Sequence, residues 1–231
     1  EPTGYMIEAL AGTDDPQKIR LADTACGSGH ILVYAFDVFY AMYEEAGFDS
    51  KEIPALILKN NLFGLEIDPR AAALASFALM MKARSKYRRF LQSGVMPNIH
   101  CFKDVVVTED DLKSKTLQRC LQMAPVEAGV ILHDLSMFAD ATSYGTLMRP
   151  RMTLKEVRAF REFLDDRSQI PKDWVLFEES TIGRIEEVLD QIEVLLRTYH
   201  VVIDNPPYLG SSNMDPQMSS WLKENYSDVK S

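Results

Sequence analysis

Cysteine is scarce in this chain: three residues among 231, Cys26, Cys101 and Cys120, odd in number and far apart. That count and spacing exclude a disulfide framework and a zinc ribbon. The histidines, His30, His100, His133 and His200, are equally scattered, so no metal site is expected. Long apolar runs are missing as well. None approaches the roughly 20 residues that span a bilayer, and Glu1-Pro2-Thr3 has neither the basic end nor the apolar stretch of a signal peptide. The expectation is a cytoplasmic globular protein with no membrane partner. Positive charge is in deficit, 25 Lys and Arg against 34 Asp and Glu, a formal net charge of −9. Contact with many phosphates needs clustered cations, so a nucleic-acid role would need basic residues outside this chain. There is no internal repeat and no low-complexity tract. The opening "EPTGYMIEAL" lacks an initiating methionine and "SDVKS" closes no element, so the chain reads as a piece of a longer protein.

What is present suits one large α/β domain or a domain carrying an insertion, with 46% hydrophobic and 26% charged residues. "KIRLAD" (18–23) is a short apolar run ending on an acid. A glycine bend follows, then a helix with Ile31, Tyr34, Ala35, Val38 and Met42 on its apolar face and Gly47 as its stop. Further on lie a helical stretch around Ile53 to Leu58, the buried-strand run "LFGLEID" and the helix-forming "PRAAALASFALMMKARSKYRRF", whose last turns are basic. A third strand, "NIHCFKD", ends in Asp104, and a fourth, "YHVVIDN", ends at Asn205. Strands alternating with helices imply right-handed crossovers and a mostly parallel sheet flanked by helices, with ligands at the carboxyl ends of the strands.

Asp23, Glu66, Asp104 and Asn205 all fall at those ends. Any one of them alone could be a helix N-cap; four, with Gly27-Ser28-Gly29 after the first, point to a ligand. The ligand is not a dinucleotide: Gly27 and Gly29 are followed by Leu32 where G-x-G-x-x-G requires a third glycine, and Glu66 lies 37 residues beyond Gly29 rather than about 20. A phosphate loop of the G-x-x-x-x-G-K-[ST] type is absent too. "DNPPYL" (204–209) adds a rigid loop. Its two prolines fix two φ angles and push Asn205 toward an extended conformation, so that the Asn205 side chain, the Pro206 carbonyl and the Tyr208 ring converge above the sheet.

"DTACGSG" followed by "NPPY" resembles the paired signatures of amino-type, S-adenosylmethionine-dependent DNA adenine-N6 methyltransferases. The surrounding "NLFGLEIDPRAAALASFALMMKARSKYRRF" and "NPPYLGSSNMDPQMSSWLKENYSDVKS" resemble the PglX-type methyltransferases of bacterial phage-exclusion (BREX) systems, and more distantly the fused restriction-methylation enzymes. The resemblance implies a Rossmann-like methyltransferase fold and assigns roles. The bend from Asp23 through Ala25 and Gly27 to Gly29 approaches the methionine part of S-adenosylmethionine, where side chains at Gly27 and Gly29 would collide with it. Glu66 accepts from the ribose hydroxyls, Ile67 covers the adenine face and Asp104 recognises its amino group. Thr3 pairs with an N-terminal motif touching the methionine carboxylate, although Pro2-Thr3 reverses the family's order, and Thr24 stands where the family has proline. Asn205, Pro206, Pro207 and Tyr208 form the catalytic loop. The substrate implied is double-stranded DNA with a flipped adenine, whose amine is a poor nucleophile until hydrogen bonds hold its lone pair toward the methyl group. Other phage-defence subunits are the implied partners.

The expected organisation is a cofactor-binding part (1–104), a mainly helical insertion between the third and fourth strands (105–198), and the catalytic strand, loop and following helix (199–231), with target recognition lying outside the chain. The insertion holds helical signals in "TLKEVRAFREFLDD" and "TIGRIEEVLDQIEVLLRTYH" and a turn at "SYGTLMRP"; its mixed charges suggest solvated faces peripheral to the cofactor pocket. Two other readings stay open. NPPY-type loops also resemble those of protein-glutamine and ribosomal-RNA guanine methyltransferases, and a DNA-recognition or assembly subunit could hold the cofactor without catalysis.

Overall fold

Short parallel strands organise the chain. The computed structural model describes residues 15–166, 179–205 and 216–226. Among them, β1 (Leu21–Asp23), β2 (Leu62–Glu66), β3 (Asn98–Cys101) and β4 (Val201–Ile203) form one all-parallel sheet in the order β3-β2-β1-β4. The register pairs Asp23 with Gly64 and with Ile203, and Glu66 with Cys101. The order reverses between β1 and β4, and in open α/β sheets ligands bind in the crevice beyond the carboxyl ends at such a reversal.

The strands are shorter than the sequence suggests. Residues Pro16–Lys18 form a single 3₁₀ turn, with the Asp15 side chain accepting from the Gln17 amide at 3.0 Å, so β1 begins only at Leu21. Strand β3 ends at Cys101, leaving Asp104 in the following loop, and β4 ends two residues before Asn205.

The helices α1 (His30–Glu45), α2 (Ile53–Asn60) and α3 (Pro69–Lys86) cover one face. Their core includes Leu32, Phe36, Tyr43, Ile57, Ala75 and Leu79 packed with Leu21 and Leu62 of the strands. Tyr34, expected on the apolar face of α1, is 74% exposed, because the buried arc runs through Leu32, Ala35, Phe36 and Phe39 instead. Gly64, in the middle of β2, permits this layer to approach: a Cβ there would lie 2.5 Å from Ile99 Cδ1 and 2.9 Å from Leu32 Cδ1.

The opposite face is covered by the residues between β3 and β4. They form α4 (Glu109–Lys113), α5 (Lys115–Met123), α6 (Ala128–Met137), the single turn α7 (Ala141–Tyr144), α8 (Leu154–Asp165) and α9 (Glu179–Leu195). Leu65 and Phe102 join their core, with Leu135, Phe138, Phe160, Val188 and Ile192. Gln191 of α9 clamps the chain just past β3, accepting from the Lys103 amide at 3.0 Å and donating to its carbonyl at 3.1 Å. This helical stretch is therefore the second layer of a two-sided sheet. Parallel sheets need both faces covered, and a chain moving outward from β1 to β3 puts right-handed crossovers on one side only. The return to β4 supplies the other. After it comes α10 (Pro216–Asn225).

Candidate functional site

The glycine bend after β1 is held from both sides. Thr24 donates its amide to the Ile203 carbonyl of β4 at 3.2 Å, and Cys26 donates to the Leu65 carbonyl of β2 at 3.0 Å. Gly27 donates to Glu66 Oε2 at 2.7 Å. The two glycines act differently. Gly29 has φ +83°, and a Cβ on it would lie 3.0 Å from both Ala75 Cα and Cβ, so its lack of a side chain allows α1 to pack against α3. Gly27, at φ +52°, has nothing within 4 Å of where its Cβ would point, and this open side is where a ligand can approach. Gly29 is also the N-cap of α1 and no side chain caps it. The positive end of a 16-residue helix thus opens toward the bend.

Asp23 is 1% exposed. Its Oδ1 accepts from the Ala25 amide at 3.3 Å, while its Oδ2 is buried without a hydrogen-bond partner. Burial pushes its carboxyl above the usual range, against the Ala25 amide that lowers it, and the charges of Asp204 and Glu66 push the same way as burial. A buried acceptor left empty costs on the order of 1–3 kcal/mol, more when charged. Glu66 is engaged with backbone through both oxygens: besides Gly27, its Oε1 accepts from Ile67 at 2.8 Å and Asp68 at 3.0 Å. A carboxylate offers about four lone pairs, so acceptor capacity remains. Ile67, 44% exposed, stands beside these groups. Cys26 is no nucleophile, since burial holds its thiol pKa at about 12.

Asp104 and Asn205 are both exposed. Asp104 accepts from the Thr142 amide at 2.7 Å and from its hydroxyl at 2.9 and 2.8 Å. Thr142 was not anticipated from sequence. Neither was the approach of Gly145, where an added Cβ would lie 3.2 Å from Ile67 Cγ2. The turn expected at "SYGTLMRP" is real, with Gly145 at φ +51°, but it lies at the carboxyl edge of the sheet and not away from it. Tyr144 stacks on Trp221 of α10 at 4.3 Å between ring centroids, and the Tyr226 hydroxyl donates to the Leu147 carbonyl at 2.6 Å. Through these contacts the helical layer touches the acid loop, the Ile67 side chain and the helix after β4. Thr3, Pro206, Pro207 and Tyr208 lie outside the described residues.

The chain resembles known proteins over nearly all its length. Residues 60–231 match the family model of the Eco57I restriction-modification methylase. Across 94% of the chain it is 31% identical to the adenine-specific methyltransferase BrxX of Escherichia coli O9:H4 (strain HS), covering 19% of that protein. Across 93% it is 28% identical to the adenine-specific methyltransferase PglX of Lacticaseibacillus casei (strain Zhang), covering 18%. The chain thus spans about a fifth of the length of these curated relatives. No helix among the described residues is long and apolar enough to cross a membrane.

Proposed function

Because the chain belongs to the Eco57I restriction-modification methylase family, we propose that it forms the catalytic centre of a DNA adenine-N6 methyltransferase that uses S-adenosylmethionine and serves a bacterial phage-defence system. The observation that carries this reading is the unpartnered, buried Oδ2 of Asp23 at the point where the strand order reverses. A cationic donor entering there would satisfy it, and the ammonium of the cofactor's methionine end is such a donor. The neighbouring groups suit the remainder. The open side of Gly27 admits the methionine chain, Glu66 has lone pairs for the ribose hydroxyls, Ile67 presents an apolar face to an adenine ring, and Asp104, steadied by Thr142, accepts from an adenine amine.

When bound, the cofactor supplies a methyl group made electrophilic by its sulfonium. The chain's own part is positioning. Asn205 lies two residues past Ile203, the β4 residue paired with Asp23, and its side-chain oxygen together with the Pro206 carbonyl would accept the two hydrogens of a flipped adenine's amine. Those bonds hold the nitrogen lone pair outward. Tyr208 would offer a stacking face for the base. Double-stranded DNA is the proposed substrate, in the cytoplasm, and other phage-defence subunits are the proposed partners; the adenine as target is in keeping with the names of BrxX and PglX, both adenine-specific methyltransferases. Labelled methyl transfer tests the reading, with DNA, RNA and a glutamine-bearing protein offered side by side. Incorporation into DNA adenine is expected, and incorporation into RNA or protein alone would refute it.

Two variants test the cofactor site. Glu66→Ala should weaken S-adenosylmethionine binding by roughly 1.5 to 3 kcal/mol, the scale of charge-assisted hydrogen bonds; unchanged affinity in calorimetry on the folded variant removes Glu66 from the site. Asp23→Asn should separate binding from stability. The folded-state pKa of Asp23 is raised above its unfolded value of 3.8. Its ionised form is therefore disfavoured in the fold, and its contribution to stability falls as pH rises from 3.8 through the raised value. The neutral asparagine escapes that penalty. At pH 7 the variant should unfold at a urea concentration no lower than the parent while binding the cofactor roughly tenfold more weakly, the loss of one charge-assisted bond. A marked drop in urea midpoint would contradict the assignment of Asp23 to ligand rather than fold.

A further inference from the structure

At the amino-terminal edge of the sheet, opposite the proposed cofactor crevice, lies a second cleft of about 480 Å³. Its walls come largely from the residues that lead into the strands. Arg20 precedes β1, Lys59 precedes β2 and Arg197 precedes β4, while Arg158 on α8 supplies a further wall. Four of its lining side chains are cationic and only Glu193 is anionic. Glu193 already lies 3.7 Å from Arg161, which is outside the lining. Among the described residues none of the four cations has a carboxylate within ion-pair distance. The Arg197 guanidinium lies 5.7 Å from the centroid of the buried Phe63 ring, another lining residue.

This arrangement runs against the composition of the chain. With a net charge of −9, carboxylates outnumber cations over the chain as a whole, yet here four cations and one carboxylate line a single cleft. Like charges within a Debye length of one another repel, and the repulsion is relieved by an anion placed between them. The concave shape and volume fall in the range of small-molecule sites. A duplex backbone, by contrast, is ordinarily met by surfaces broader than one cleft. Guanidinium groups bind phosphate in a bidentate, charge-assisted manner. We propose that this cleft binds a phosphate-bearing small molecule of nucleotide size. The occupant differs in kind from the methyl donor, which carries no phosphate, and the site is separated from Asp23 and Glu66 by the length of the strands.

Calorimetric titration of the protein with inorganic pyrophosphate, with ATP and with a short DNA duplex tests the proposal. Pyrophosphate and ATP should bind once per chain, and more weakly as salt is raised. Lys59→Glu and Arg158→Glu alter exposed side chains without ion-pair partners, so the fold should persist, and each should weaken both ligands roughly tenfold or more. Asp23→Asn should leave this binding unchanged. Failure of pyrophosphate and ATP to bind, or equal binding by the charge-reversed variants, overturns the proposal. It is likewise overturned if the duplex alone binds with the same dependence on Lys59 and Arg158, for the cleft would then be a nucleic-acid contact. None of these outcomes depends on methyl transfer.

Discussion

Asn205→Ala is expected to lower methyl transfer by roughly two to three orders of magnitude while leaving cofactor affinity nearly untouched. Asn205 follows β4, whose last residue, Ile203, accepts the Thr24 amide of the glycine bend. Its backbone is therefore tethered next to Asp23, but its side chain is exposed and takes no part in the bonds that hold the bend. In the proposed reaction its oxygen touches only the base, so the loss falls on the transition state. Removing one preorganised polar group of this kind costs roughly 10²- to 10³-fold in rate. Labelled methyl incorporation into DNA, run beside cofactor calorimetry, checks both halves. Activity near that of the parent would remove Asn205 from catalysis, and a parallel collapse of cofactor binding would make its role structural.

Deleting residues 105–198 and joining the flanking segments with a short linker should destroy the fold. The mixed charges of this stretch suggest solvated faces peripheral to the cofactor pocket. The packing argues otherwise. Phe138, Phe160, Leu135, Ile131, Val157, Val188 and Ile192 are all nearly or wholly buried in one core with Leu65 and Phe102. Each such side chain contributes about 1.5–3 kcal/mol by burial, against a total stability of about 5–15 kcal/mol for a domain. Removing several exceeds the whole margin and also exposes one face of a parallel sheet. Circular dichroism and urea titration of the deleted form should show no cooperative transition. A cooperative transition with measurable cofactor binding would restore the peripheral reading.

The motifs were legible because they are local. Gly27 and Gly29 adopt positive φ over three residues of chain, and the prolines after Asn205 restrict their own backbone whatever surrounds them. The strand ends were legible to within a few residues. The error at Asp104 has a simple source: the apolar character of "NIHCFKD" continues into Phe102, past the last paired residue, Cys101, and pairing depends on β2, which itself ends at Glu66. The packing role of Gly29 was not legible for a related reason. Its neighbour is Ala75, 46 positions away, and nothing in the local spacing points to it.

Alone, then, the sequence determined the class of the fold, the family resemblance and the identity of the residues gathered at the strand ends, since these follow from backbone chemistry and periodicity within short windows. Only the tertiary structure decided how those residues divide their work. Asp23 has an empty acceptor, Glu66 is spent partly on the Gly27 amide, and Gly29 serves helix packing. Tertiary structure alone also made residues 105–198 a core layer and brought Arg20, Lys59, Arg158 and Arg197 around one cleft. Burial and charge act through space over a few ångströms, and separations of 39 to 180 positions, such as those from Gly27 to Glu66 and from Arg20 to His200, become contacts only when the order of strands in the sheet is set.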